Sequence, residues 1–302
     1  PFGRRSFHAL GELAERKGIP ALLISHGSFT PTSDELSQMA WRYHSLGLIH
    51  GSYRYSALQT PLAEEFSKQI TTNTEFLKTG PLIWGLSMDR TIDDEHFQSL
   101  KQQLTHSHQN CSVLLHAGTP KHSRGQHFHV YETPDEYVQA LSDLILAVDG
   151  IKDVFLIIKY RPNKLSVDEL ISLLPKSGKY SISVEEPFLD VLAISDLLVS
   201  FSSTTIEEAL QNRVPVLLYG GNGRYKHVDA QDITPNKAVE PGAVYSISSA
   251  VNLEDGIIQI LNTNSQSEEP EKLFSKYVYQ PYEITSLPKL INDLLQVQSQ
   301  PT

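Results

Sequence analysis

An α/β protein of two doubly wound, Rossmann-like domains with parallel sheets is what the sequence predicts. Short apolar runs stop at glycine or hydroxyl-rich turns and are each followed by a helix-length segment, the alternation that builds parallel sheets through right-handed crossovers. The alternation occurs once before and once after a polar stretch, TIDDEHFQSLKQQLT at 91–105, which breaks the chain into two halves. A chain of 302 residues, 40% hydrophobic and 20% charged, has the length and apolar content for two cores. The expected boundaries are 1–90 for an amino-terminal domain, 91–106 for a linker helix, 107–261 for a carboxyl-terminal domain and 262–302 for a tail with a final helix.

In the first half, residues 7–18 read as a helix ending at Gly18, and Pro20 introduces a strand from Ala21 to Ser25 that breaks at His26-Gly27-Ser28. Asp34 to Tyr43 has helical composition, and Leu48-Ile49-His50-Gly51 repeats the pattern of a short strand and a glycine. Tyr53 to Ile70 reads as helical from Pro61 onward, and Phe76 to Gly80 as the last strand of this half. Two or three strands are fewer than a complete doubly wound domain has, so a partial domain is expected.

The second half starts afresh with a strand from Ser112 to Ala117 that runs into Gly118-Thr119-Pro120 and a basic, histidine-rich loop, KHSRGQHFHVYE. Thr133 to Val148 is an amphipathic helix with Tyr137, Leu141, Leu144, Ile145 and Val148 on one face, and Thr133 with Glu136 makes a capping box. Val154–Tyr160 is a strand ending at Arg161-Pro162. Val167–Leu174 is helical, Tyr180–Val184 a strand and Pro187–Ile194 a short helix. Leu197–Val199 is a strand that stops at Ser200, Ser202, Ser203, Thr204 and Thr205, where a helix begins with Ser203 or Thr204 as its cap. Val214–Tyr219 is a further strand ending in GGNG at 220–223. Residues 262–270, NTNSQSEEP, read as a polar loop, and Pro288–Val297 as a final helix.

Composition narrows the function classes. A formal charge of −10 argues against a nucleic-acid binder, which needs an excess of phosphate-neutralising lysine and arginine. A single cysteine, Cys111, excludes an intrachain disulfide and points to the cytoplasm; its place before the apolar run Val113–Leu115 marks a buried structural thiol. No run approaches the roughly 18 apolar residues of a membrane span, so no transmembrane segment is expected, while peripheral contact with the inner face of a membrane is compatible with the sequence.

The strand ends of the second half converge on one sheet edge. Gly118 and Thr119 follow the first strand, Lys159, Tyr160, Arg161 and Pro162 the second, Ser202, Ser203 and Thr204 the fourth, and Gly220 to Gly223 the fifth. Ligands of open α/β sheets bind at that edge. The lysine and arginine supply charge for a phosphate, the Ser/Thr turn supplies N–H and hydroxyl donors, and a helix carboxylate can accept from ribose hydroxyls. The combination points to a nucleotide or sugar-phosphate site.

These residues carry a family resemblance. The segment EEPFLDVLAISDLLVSFSSTTIEEALQNRVPVLLYG, from Glu185 to Gly220, resembles the carboxyl-terminal domain of GT-B nucleotide-sugar glycosyltransferases, in particular those that build bacterial surface and capsular polysaccharides. The resemblance covers roughly residues 110–225. It implies two Rossmann-like domains facing a cleft, a nucleotide-sugar donor as substrate rather than a cofactor, no bound metal, and a glycan or lipid-linked glycan acceptor on the amino-terminal domain. It also implies that Ser202, Ser203 and Thr204 hold the donor phosphate and that Glu208 holds the ribose, with Glu207 the competing assignment. Gly118, Thr119, Lys159 and Arg161 complete the expected donor site. Capsule transferases and bacterial sialyltransferases with CMP-linked donors carry a His-Pro pair at the place of Arg161-Pro162; the proline matches and the histidine does not.

His26-Gly27-Ser28 resembles the histidine-glycine turn at the interdomain cleft of several GT-B enzymes, so His26 is the candidate catalytic residue, as a general base for the acceptor hydroxyl or as an electrostatic partner of the donor. A turn histidine used for local hydrogen bonding is the alternative, and His50 has the same look. His116, His122, His127 and His129 invite a metal reading, but the loop brings no cysteine and no evident carboxylate support, and a mobile basic loop with Lys121 and Arg124 over the donor phosphates fits better. Arg224 and Lys226 are further candidates for ligand contact. Two other functions stay open: an isomerase resembling UDP-N-acetylglucosamine 2-epimerase, whose motif also contains E-E-A as at Glu207-Glu208-Ala209, and a noncatalytic sugar- or nucleotide-binding module on the same fold.

Overall fold

The computed structural model describes residues 2–25, 34–39, 49, 52–70, 72–83, 95–106, 108, 110–118, 120, 129–162, 165–235, 237–266 and 270–297. The chain divides into two compact units, residues 1–86 with 275–302 and residues 87–274. His26, His50, Thr119, Lys121, His122, Arg124 and His127 lie outside the described residues.

In the first unit α1 (Phe2–Arg16) leads to a three-stranded parallel sheet of β1 (Leu22–Leu23), β2 (Tyr55–Leu58) and β3 (Glu75–Lys78), in that order, with α2 (Pro61–Ser67) between the last two. Helix α2 starts as its sequence dictates: Thr60 is extended, its side chain accepts from Ala63 N at 3.1 Å, and Pro61 takes the first helical turn. The strand expected at Leu48-Ile49 is absent at its one described residue, since Ile49 is helical. The central strand is instead β2, and its four residues, Tyr-Ser-Ala-Leu, are all buried. A strand covered on both faces shows no alternation, and Ser56 breaks the apolar run that would have marked it. Gln59, 2% exposed, ties the carboxyl ends of all three strands: its Nε2 donates to Ser25 O at 2.6 Å and its Oε1 accepts from Leu82 N at 2.8 Å. Residues beyond 275 close the unit. Thr285 N donates to Lys78 O at 2.9 Å, Lys78 pairs with Glu64 at 2.9 Å, and Tyr279 donates to Glu64 at 3.3 Å; the final helix follows at Leu287–Val297.

The second unit holds a seven-stranded sheet. Its strands are β4 (Ser112–Ala117), β5 (Val154–Lys159), β6 (Tyr180–Ser183), β7 (Leu197–Ser200), β8 (Val216–Leu218), β9 (Gln231–Asp232) and β10 (Val244–Ser246). Every pairing is parallel, in the order β6-β5-β4-β7-β8-β10-β9. Its helices of six residues or more are α3 (Glu95–Leu104), α4 (Pro134–Gly150), α5 (Val167–Leu173), α6 (Phe188–Ala193), α7 (Thr205–Gln211) and α8 (Leu253–Ser265). Helix α3, expected as a linker, packs on α6 and β6 of this unit.

The core forms where α4 and α8 lie on the sheet. Tyr137, Leu141, Leu144, Ile145 and Val148 of α4 and Leu253, Ile257 and Ile260 of α8 meet Leu114, Leu156, Ile158, Leu197, Val199 and Leu217. Each fully buried side chain of this kind contributes roughly 1.5–3 kcal/mol. The expected capping box is present, with Thr133 N donating to Glu136 Oε2 at 2.9 Å and Glu136 N to Thr133 Oγ1 at 3.3 Å. Two expectations need correction. The polar loop placed at 262–270 is helical to Ser265, because Leu253, Ile257 and Ile260 recur at helical spacing and pull the helix onto the core. The sheet also extends past β8 to β10 and β9, which the sequence reading did not place.

Candidate functional site

Strand order reverses beside β4. The chain runs outward from β4 to β5 and β6, then returns to lay β7 on the opposite side of β4 and continues outward through β8. Strands β4 and β7 are therefore the switch point of the sheet, and it is at the carboxyl edge of such a point that doubly wound folds carry their ligand crevice. Gly118 directly follows β4, and Ser202, Ser203 and Thr204 follow its parallel neighbour β7, at this switch point. The two strand ends are fixed to each other by buried Ser200, whose Oγ donates to Ala117 O at 2.6 Å.

Of the two caps expected for α7, Ser203 is the one whose side chain bonds the helix start. Ser203 Oγ accepts from Thr205 N at 3.3 Å and Ser203 O from Ile206 N at 3.1 Å, whereas Thr204 is already helical and its side chain caps nothing. The hydroxyls of Ser202 and Thr204 have no hydrogen bond among the described residues, and the buried Thr205 Oγ1 has none either. Hydroxyl donors without partners at a strand-to-helix turn are free for a ligand.

The phase of α7 separates its two carboxylates. Glu207 is 3% exposed and turned inward, where its Oε1 lies 3.2 Å from His227 Nε2. Glu208 is half-buried, and desolvation together with the charge of Glu207 pushes its carboxyl up to about 7. A carboxyl that changes protonation near neutral pH can accept from hydroxyls as an anion or donate to them as an acid.

The cations after β5 lie in two settings. Lys159 turns toward β6 and donates to Val184 O at 2.5 Å, and burial lowers its ammonium despite Glu186 and Glu185 nearby. Arg161 is exposed and makes no ion pair among the described residues. Tyr160 is buried and donates to Leu165 O at 2.9 Å.

Arg224 is committed to the protein. It forms a bidentate pair with Glu136 at 2.7 and 3.0 Å, donates to the carbonyls of His129, Tyr131 and Gly221, and lies 5.1 Å above the ring of Phe201. Every guanidinium nitrogen is engaged, so Arg224 fastens residues 129–136 to the turn after β8. Lys226 pairs with Asp232 at 2.7 Å. His116 is buried in β4 with its ring edge against Tyr137, and desolvation lowers it to about 4; His129 packs on Tyr225. Among the described residues no three His, Cys, Asp or Glu side chains are grouped to ligate a metal ion.

Glu132 is the group that sequence reading missed. It is 6% exposed, its Oε1 has no partner among the described residues, and burial, with Glu136 nearby, pushes its carboxyl up to about 8 against the pull of Arg224 and a backbone bond from Gly221. Gly220 makes room for it: its φ is +125°, and a Cβ there would collide with Glu132 Oε1. Only the fold signals this, because Glu132 ends a polar loop in sequence. A cavity of about 300 Å³ lies beyond Gly220, lined by Asp135, Glu136, Asp143, Asn222 and Ser248 among others. Gly118, Lys159, Arg161, Ser202, Ser203, Thr204 and Glu208 take no part in it.

No protein-family model and no curated protein matches the chain. Its similarity to solved structures establishes the fold: this is the GT-B fold, shared by glycosyltransferases and nucleotide-sugar epimerases. The wall teichoic acid polymerase TagF matches with a TM-score of 0.53 and 12% identity over 93% of this chain and 70% of that one. UDP-GlcNAc 2-epimerase from Neisseria meningitidis, solved bound to UDP-GlcNAc, matches with a TM-score of 0.52 and 18% identity, covering 96% and 73%. S. aureus MnaA, solved with UDP, matches with a TM-score of 0.54 and 13% identity, covering 98% and 75%. The chain spans 65% of a TagF variant's length. No helix among the described residues is long and apolar enough to cross a membrane.

Proposed function

We propose that the chain is a glycosyltransferase that moves a sugar from a nucleotide-sugar donor to a glycan or lipid-linked glycan in bacterial surface polysaccharide synthesis, in the cytoplasm or at the inner face of the membrane. The observation that carries this reading is the reversal of strand order between β4, which runs into Gly118, and β7, after which the hydroxyls of Ser202 and Thr204 have no hydrogen bond among the described residues. In this reading Gly118, Thr119, Ser202, Ser203 and Thr204 surround the donor phosphate, Arg161 and Lys159 supply positive charge, and Glu208 binds the ribose. The outward phase of Glu208, with Glu207 engaged by His227, supports Glu208 over its neighbour. The acceptor oxygen bonds to the anomeric carbon, the bond from that carbon to the phosphate oxygen breaks, and the nucleotide leaves with the electron pair. Hydroxyl and N–H donors at the turn stabilise that leaving group, and His26 takes the acceptor proton.

An isomerase resembling the 2-epimerases is the second reading. It is favoured by Glu207-Glu208-Ala209 and by the likeness in fold to two proteins solved with UDP-GlcNAc and with UDP. Incubation with UDP-GlcNAc alone separates the readings: an epimerised sugar supports the isomerase, and transfer only in the presence of a glycan acceptor supports the transferase. Nucleotide binding with neither product identifies a binding module. The donor site itself is tested by calorimetry with UDP, CDP, CMP and GDP. Glu208→Ala should weaken the best-bound nucleotide by about tenfold or more, the value of a lost hydrogen-bonded carboxylate. An unchanged affinity removes the ribose assignment.

A further inference from the structure

We infer that Tyr225, His227 and Glu207 form a buried positioning relay that aims Glu208 at the ribose of a bound nucleotide. The inference rests on the reading of Glu208 as the ribose ligand. Tyr225 OH and His227 Nδ1 are 3.2 Å apart, and His227 Nε2 and Glu207 Oε1 are 3.2 Å apart. The three side chains are 3%, 4% and 3% exposed, so the chain of contacts is shielded from water from end to end. It joins the segment after β8 to the first turn of α7.

The relay adds a directed bond to the apolar packing that sets the rotation of α7. The helix has seven residues, and Thr204 provides no side-chain bond to its first turn. Consecutive residues on a helix point about 100° apart, so fixing Glu207 inward fixes Glu208 outward. Apolar packing of Ile206, Ala209 and Leu210 holds the helix to the sheet, while the bond from His227 holds a named carboxylate. The far end of the relay is anchored near the crevice as well. The ring of Tyr225 packs edge-on against Phe201, which directly precedes Ser202, at 5.8 Å, and against His129 at 5.9 Å.

Its charge also acts on Glu208. The charged and titratable groups around the relay are Glu208 and Glu207 on α7, Tyr225, Lys226 and His227 after β8, and Tyr131 and His129 before α4; Lys226 is spent on Asp232. After burial, the charge of Glu207 is what raises Glu208. Glu207→Gln keeps an oxygen for His227 and removes that charge, so Glu208 should ionise at lower pH.

The test uses the whole chain, with UDP and inorganic pyrophosphate as probes and binding measured by calorimetry from pH 5.5 to 8.5. Pyrophosphate lacks a ribose, and the titration of the phosphates is common to all variants. His227→Phe should weaken UDP by about tenfold, as for one lost hydrogen-bonded contact, and leave pyrophosphate unchanged. Glu207→Gln should move the midpoint of the pH dependence of UDP binding to lower pH, a change absent from Glu208→Gln. If Glu208→Gln itself leaves UDP affinity unaltered, the ribose reading fails and the relay loses its purpose. If Glu208→Gln weakens UDP while His227→Phe does not and Glu207→Gln leaves the midpoint in place, the relay alone is overturned. Equal loss of UDP and pyrophosphate in His227→Phe overturns it too, because that pattern reports a damaged fold.

Discussion

Replacing Glu132 by glutamine should flatten the pH dependence of the second unit's stability. In the folded chain the Glu132 carboxyl is pushed up to about 8, chiefly by burial, from an ordinary value of 4.5. At pH below 4.5 it is protonated in both the folded and unfolded states and contributes no difference. As pH rises from there the unfolded chain ionises while the folded one stays neutral, and stability falls by about 1.4 kcal/mol per pH unit. The fall ends near pH 8, where the folded carboxyl ionises too. Over the roughly 3.5 units between the two values, the cost is on the order of 5 kcal/mol. Glutamine has nearly the same shape and does not ionise. The two proteins should therefore unfold nearly alike at pH 5, and the variant should be more stable by several kcal/mol at pH 8.5. Cys111 supplies the assay, being the single cysteine of the chain, buried, and in the same unit. Its reaction with a pyridyl disulfide across a urea series gives an unfolding midpoint at each pH. Midpoints that move in parallel for the two proteins from pH 5 to 8.5 would refute the reasoning.

Arg224→Lys keeps the charge and discards the fork that holds Glu136 and three carbonyls, which should cost about 2–3 kcal/mol and lower the thermal midpoint of the second unit by about 5–10 °C; a shift below one degree would contradict it. Gln59→Ala removes two hydrogen bonds of the first unit, one to the Ser25 carbonyl and one from the Leu82 N–H, at a cost of about 2–3 kcal/mol. Amide hydrogen exchange at Leu82 should accelerate sharply, and retained protection would show that the amide has another partner.

Much of the second unit was legible in its sequence because its signals are local. The apolar face of α4 recurs at helical spacing over 17 residues, and Thr133 with Glu136 marks its start. The strands β4, β5, β7 and β8 are apolar runs bounded by glycine, proline or hydroxyl residues, which a parallel sheet buried on both faces demands. What failed was short or interrupted. Strand β2 contains a serine, β9 spans only two residues, and both form because neighbouring strands supply hydrogen-bond partners. In the candidate site, the edge of the sheet was readable and the roles of side chains were not. Adjacent Glu207 and Glu208 are indistinguishable until packing sets the helix phase. Arg224 looks like a cation awaiting a ligand until Glu136, 88 positions away, is seen to hold it. Glu132 shows nothing unusual until burial takes its water away.

Glu136 serves two masters. One of its oxygens closes the capping box that starts α4 and also takes a branch of Arg224, while the other takes the second branch. Aspartate is one methylene too short to reach both, and glutamine can satisfy the cap but not the charge. Position 136 is therefore not free to drift by itself: a change there unseats a helix start and the fastening of the glycine turn at once, and a descendant of this sequence that alters it must alter position 224 in company.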